Sequence, residues 1–166
     1  LSHREDAMTD RDYILGTHDA EIARLKLQHS VWRPRMLDAW RRAGITRGQT
    51  VIDLGSGPGY AALELAEIVG PQGRVVAVER SARFLSALSA TATARTLHNI
   101  KTHEADITEQ PLGDRIADAS WCRWVFSWLT RPERAVANLA NALKPGGIAV
   151  FHEYVNYAGW QLAPHA

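Results

Sequence analysis

"VIDLGSGPGY", residues 51–60, runs a short apolar stretch straight into glycines at every second position, Gly55, Gly57 and Gly59. An acid, Asp53, sits inside the apolar run. Glycine accepts positive φ and lets another group approach the main chain closely. The N–H groups that open a following helix at Tyr60 lack partners within that helix and favour an anionic or acceptor group. Two readings follow: a turn packed tightly on a sheet, or a main-chain cradle for a ligand.

Outward from this stretch the chain alternates between strand-like and helix-like segments. Strands are predicted at 50–55, 74–79, 100–105, 119–126 and 147–154, rich in Val, Ile and aromatic residues. Helices are predicted at 60–69, ending at "GPQG"; at 81–96, capped by Ser81; and at 131–144, with Pro132 in its first turn and "PGG" as its stop. Val136, Leu139 and Leu143 fall on one stripe of that last helix. Such alternation predicts an α/β fold, a parallel sheet of about five strands with helices on both faces and right-handed crossovers. Upstream, residues 19–42 carry apolar residues at helical spacing, as one helix or as two segments jointed at Pro34, with Asp19 as cap and Gly44 as stop. The first 18 residues are polar, with at most a helical turn around "RDYILG". The organisation read from this is an N-terminal helical extension, 1–47, and one α/β domain, 48–166.

Composition narrows the function. A formal net charge of +1 argues against nucleic-acid binding by bulk electrostatics, and the arginines at 33, 35, 41, 42 and 47 read as a solvated helical face. A single cysteine, Cys122, excludes an internal disulfide and a cysteine-rich zinc cage, and the seven histidines lack metal-ligand spacing. No apolar run is long enough to span a membrane and the N-terminus is polar, so no membrane partner and a cytoplasmic location are expected.

In a parallel sheet of this kind ligands bind beyond the C-terminal strand ends, where the strand order reverses. Polar residues recur at those ends. Glu79 closes the second strand and suits the hydroxyls of a ribose, or else an acid beside the Ser81 cap. Asp106 follows the third strand and suits an adenine amino group, with Ile107 against the ring, or else a turn. The glycine spacing is G-x-G-x-G rather than G-x-G-x-x-G, and no lysine follows it to grip a phosphate. Asp53 suits an ammonium better than a pyrophosphate. S-adenosylmethionine, a sulfonium nucleoside with an ammonium and no phosphate, matches that set; its product after methyl loss is S-adenosylhomocysteine.

The chain resembles the class I S-adenosylmethionine-dependent methyltransferases, of the UbiE-like or type 11 small-molecule group. The matching residues are "VIDLGSGPG", "VVAVER", "EADIT", "WCRWVFSWL" and "LKPGG", spread over roughly residues 48–153. The resemblance implies a Rossmann-like domain and a small-molecule methyl acceptor. It places Gly55, Ser56, Gly57 and Gly59 along the methionine and ribose portion, and Asp53 at the ammonium. Glu79 falls to the ribose, Arg80 to the flank of the adenine, Asp106 and Ile107 to the adenine, and the main chain at Cys122 and Arg123 to the methionine side. Ser56 stands where many relatives carry cysteine. Gln28 is either a contact to the methionine carboxylate or an exposed helix residue.

Methyl transfer from a sulfonium depends mainly on placing the acceptor in line. A base is needed only for a protonated acceptor, with Arg123, His152, Glu153 and Tyr154 as candidates and none assigned. Trp121, Trp124 and Trp128, with Tyr154, Tyr157 and Trp160, offer an aromatic wall or ordinary packing. Family members continue past the fifth strand with a helix and an antiparallel pair, whereas only "VNYAGWQLAPHA" remains here. A shortened chain is the expectation, ahead of a further C-terminal half or a homodimer through the exposed edge. Two other functions compete: a methyltransferase-like binding module without turnover, and a nicotinamide-dependent oxidoreductase.

Overall fold

The computed structural model describes residues 16–156 and residue 158. Among them five strands form one parallel sheet, ordered β3-β2-β1-β4-β5. They are β1 (Thr50–Leu54), β2 (Arg74–Glu79), β3 (Ile100–Glu104), β4 (Ala117–Arg123) and β5 (Leu143–His152). The helices are α1 (Asp19–Arg42), α2 (Tyr60–Val69), α3 (Ala82–Ala94) and α4 (Pro132–Ala142), with a short 3₁₀ turn at Phe126–Trp128. The chain winds outward from β1 to β3, then returns to place β4 on the other side of β1. The strand order therefore reverses at the C-terminal ends of β1 and β4.

Strand residues alternate between two apolar layers. Val51, Val75, Ala77 and Trp121 pack with α1, α2 and Leu88 of α3. Ile52, Leu54, Val76, Val78 and Cys122 face the other way, toward Ala135, Leu139 and Ala142 of α4. Asp53 shares the face of Val51 and is itself buried. Val51, Ile52 and Leu54 are fully buried, each worth roughly 1.5–3 kcal/mol relative to exposure. That burial offsets the desolvation of the acid threaded between them. Ser81 caps α3 as its sequence suggests, its Oγ accepting from the Phe84 N–H.

Three expectations are corrected, while α1 is one helix through Pro34, the first of its two readings. Its N-cap is His18, whose Nδ1 accepts from the Glu21 N–H, while Asp19 instead pairs with Arg83 of α3. The α4 stripe is Ala135, Leu139 and Ala142; Val136 is half exposed and Leu143 already belongs to β5. β5 starts early because Leu143 pairs with Ala117 before a bulge that carries Lys144–Gly147, so the "PGG" lies within the strand's irregular first half. Gly44, at φ 74°, does end α1: the Ile45 N–H reaches the Trp40 carbonyl and the Gly44 N–H that of Arg41. The turn read around "RDYILG" lies outside the described residues except for Gly16. No described helix is long and apolar enough to cross a membrane.

Candidate active site

A cavity of about 340 Å³ opens at the C-terminal ends of β1, β2 and β4, beneath the N-terminal half of α1. Asp53, Gly55, Ser56 and Gly57 line it from the first turn, Glu79 and Arg80 from the second. Asp106, Ile107 and Arg123 line it from the third and fourth strand ends. Gly59 and Cys122 do not reach its wall. Cys122 is buried in the α4 layer, its thiol 3.7 Å from Glu153 Oε1.

The three glycines have different reasons to lack a side chain. All have positive φ: 70° at Gly55, 55° at Gly57 and 85° at Gly59. A Cβ on Gly55 would lie 2.4 Å from Val125 Cγ2, and one on Gly59 2.3 Å from Leu88 Cδ1. Those two positions are closed by packing from the turn after β4 and from α3. At Gly57 a Cβ would meet nothing within 4 Å. Gly57 alone of the three has open space where a Cβ would stand. Gly59 is the N-cap of α2, and the cavity wall takes in Gly55, Ser56 and Gly57 of the stretch.

Among the described residues Asp53 has no ion-pair partner, and its Oδ2 is buried without a hydrogen bond. Burial drives its pKa from 3.8 up to about 7, opposed by the positive Arg123 and a main-chain hydrogen bond from Ala62. Glu79 takes the N–H of Gly57 on Oε2 at 2.9 Å and those of Arg80 and Ser81 on Oε1 at 2.9 and 3.0 Å. Burial pushes its pKa up, and these N–H donors pull it back. Glu79 thus braces the glycine turn while facing the cavity. Asp106 folds into a turn of its own, Oδ1 accepting from the N–H and the hydroxyl of Thr108.

A polar network that no local sequence pattern announces lies behind this wall. His29 of α1 places Nε2 3.0 Å from Glu64 Oε1 of α2 and Nδ1 3.2 Å from Arg123 Nη2 of β4. Arg33 adds a bond to the same Glu64 oxygen at 2.7 Å. The Tyr60 hydroxyl donates to the Ile22 carbonyl at 3.0 Å, a further tie between α1 and the glycine turn. Of the two acids of α2, Glu67 is half exposed and pairs with Arg95, whereas Glu64 faces α1.

Of the base candidates, Arg123 and Tyr154 line the cavity, while His152 and Glu153 do not. His152 is enclosed by the rings of Trp32, Trp121 and Trp124. Glu153 Oε1 accepts from the N–H groups of Val125 and Phe126 and so braces the turn after β4. Trp124 stacks on Tyr154 at 5.2 Å with 6° between planes, and both line the cavity with Trp128. Trp124 holds φ at 55°, an unusual setting for a bulky residue. Trp121 packs against Trp40 in the core and still reaches the cavity wall. Gln28 lines the cavity too. Tyr157 and Trp160 lie outside the described residues.

The family described as "Methyltransferase domain" matches residues 52–151, from within β1 to within β5. The chain belongs to that family. This bears out the resemblance read from the motifs. The ubiquinone/menaquinone biosynthesis C-methyltransferase UbiE of Francisella tularensis subsp. novicida is 26% identical over 127 residues, 76% of this chain and 50% of the relative. A putative S-adenosylmethionine-dependent methyltransferase from Methanococcus maripaludis superposes with a TM-score of 0.73 at 21% identity, over 92% of this chain and 67% of that one. Coclaurine N-methyltransferase, solved with N-methylheliamine and S-adenosylhomocysteine, superposes with a TM-score of 0.65 at 28% identity, over 71% of this chain and 34% of that one. The chain spans about half the length of the curated relatives it matches.

Proposed function

We propose that this domain binds S-adenosylmethionine and transfers its methyl group to a small, flat acceptor. The observation that carries the reading is the buried carboxylate of Asp53, its Oδ2 without a hydrogen bond among the described residues, facing a cavity that opens beside Gly57. A buried carboxylate oxygen without a donor costs free energy, and an entering ammonium relieves that cost. When bound, the cofactor supplies a methyl group already activated by its sulfonium.

The chain's own residues bind and orient. Glu79 accepts from the ribose hydroxyls with the lone pairs its main-chain donors leave unused. Asp106 and Ile107 hold the base. Gly57 keeps the main chain bare where the ligand lies against it. Trp124, Trp128 and Tyr154 form an aromatic wall on which a flat acceptor packs, and with α1 above they exclude water. Catalysis then rests on positioning. A dedicated base is not assigned.

Titration calorimetry with S-adenosylmethionine, S-adenosylhomocysteine and NADH tests the binding half of this reading. Saturable binding of the first two without the third is expected, and binding of NADH alone overturns it. Transfer of radiolabelled methyl to a panel of phenols, amines and catechols tests turnover.

A further inference from the structure

We propose that the Arg123 guanidinium receives the α-carboxylate of the cofactor's amino-acid end, opposite Asp53 at the ammonium, and that His29 positions that guanidinium; this rests on the cofactor reading above. An amino-acid end is a zwitterion, and burying it calls for a group of each sign. The cavity wall supplies both at the C-terminal ends of the adjacent strands β1 and β4. Arg123 is the strongest charge acting on Asp53, and Asp53 the strongest acting on Arg123. The two nevertheless make no ion pair, and among the described residues no carboxylate lies within 4.0 Å of the Arg123 guanidinium. They face the same space without closing on each other.

Among the described residues the partners of Arg123 are weak: His29 Nδ1 at 3.2 Å, the Met36 sulfur at 3.8 Å, and the Trp124 ring at 5.2 Å from its central carbon. A guanidinium carries five N–H donors in a fork that matches a carboxylate, so donors remain for a ligand. Position agrees with chemistry. Glu79, the candidate ribose acid, lies at the end of β2 on one side of β1, and Arg123 at the end of β4 on the other. A nucleoside with its sugar at Glu79 and its ammonium at Asp53 directs its carboxylate toward Arg123. The other arginines of the wall are placed elsewhere: Arg24 is paired bidentately with Glu21, and Arg80 lies beside Glu79.

His29 fixes the fork. One neutral tautomer satisfies both of its contacts, with Nε2–H donating to Glu64 and Nδ1 accepting from Arg123. Glu64, itself held by Arg33, selects that tautomer. The imidazole then turns one edge of the guanidinium toward α1 and leaves the remaining donors to the cavity.

Calorimetry on the whole chain with S-adenosylhomocysteine and with methylthioadenosine separates the outcomes. The second ligand keeps the nucleoside and the thioether but lacks the amino-acid end. Arg123→Met is expected to weaken S-adenosylhomocysteine about 10- to 100-fold, as the loss of a charged hydrogen bond implies, and to change methylthioadenosine less than about 3-fold. His29→Ala is expected to show the same selective loss in smaller measure, with His29→Gln, which retains a donor and an acceptor, restoring most of it. Equal losses for both ligands, no loss for either, or a selective loss in Gln28→Ala but not in Arg123→Met would overturn the assignment. If neither ligand binds the wild-type chain, the cofactor reading itself falls, and the Arg123 assignment with it.

Discussion

Asp53 sets function against stability within one side chain. Its folded pKa of about 7 lies above the ordinary 3.8, so between these values the folded chain holds a proton that the unfolded chain has released. Stability therefore falls as pH rises through that window, and the full cost is carried above it. Asp53→Asn removes the charge while keeping the shape. It is expected to stabilise the ligand-free chain by roughly 2–4 kcal/mol at pH 8 and by less at pH 5. Thermal denaturation at the two pH values checks the difference. The same variant should bind S-adenosylhomocysteine at least about 10-fold more weakly, the cost of one lost charge-assisted contact. A gain that is equal at both pH values would mean that Asp53 is already ionised or already partnered. Two glycines make the matching contrast. Gly59→Ala meets Leu88 in a left-handed backbone and should destabilise by roughly 2–4 kcal/mol. Gly57→Ala has only the backbone to strain, about 1 kcal/mol, but its methyl enters the cavity and should weaken S-adenosylhomocysteine by about 10-fold or more. Paired denaturation and calorimetry check both.

At the scale of elements, α1 acts as a cover tied down by side chains from α2, α3 and β4. Glu64 is the hub, since one of its oxygens serves both His29 and Arg33. Glu64→Ala leaves His29 with Arg123 alone and frees Arg33, so hydrogen exchange in residues 22–33 should quicken by about 5- to 100-fold while the central strands are unchanged. Uniform exchange across the molecule would instead show general loosening. The sequence showed that α1 exists, but not what holds it. Periodicity marks strands and helices because each is decided by neighbours along the chain. The strand-end acids were legible for a related reason, since the fold class alone says where strand ends converge. His29, Glu64 and Arg123 come from three separate elements, and no local pattern announces their meeting. The split among the glycines was hidden for the same cause, because Leu88 and Val125 arrive from later in the chain to close two of the three positions. At Pro34 the sequence left one helix or two open, because its missing N–H permits a joint. Met36 and Trp40 beyond it are anchored in the core and carry the helix through.

Across the whole molecule the sheet is unevenly protected. β3 ends it on one side, with α3 packed beside it, while β5 ends it on the other, its outer ladder unpaired among the described residues. Single exposed apolar side chains are ordinary on a protein surface and mean little by themselves. The difference here is that Ile148 and Phe151, 45% and 44% exposed, occupy opposite faces of one unpaired strand. Past its bulge, an unpaired edge flanked by apolar chains on both faces is a template for adding another strand. Concentration-dependent association of this chain is therefore expected, seen as a rise in light scattering with protein concentration. Ile148→Lys places a charge on the edge strand, the device natural sheets use against pairing, and should lower that scattering. Ile148 pairs with Ala119 near the start of β4, whereas the cavity lies at the strand's far end. The substitution should accordingly leave the S-adenosylhomocysteine affinity within about 2-fold, because it touches no residue of the cavity wall. Scattering that persists in Ile148→Lys would move the cause to another surface, and a lost affinity would show that the β5 edge and the cavity are coupled through the sheet.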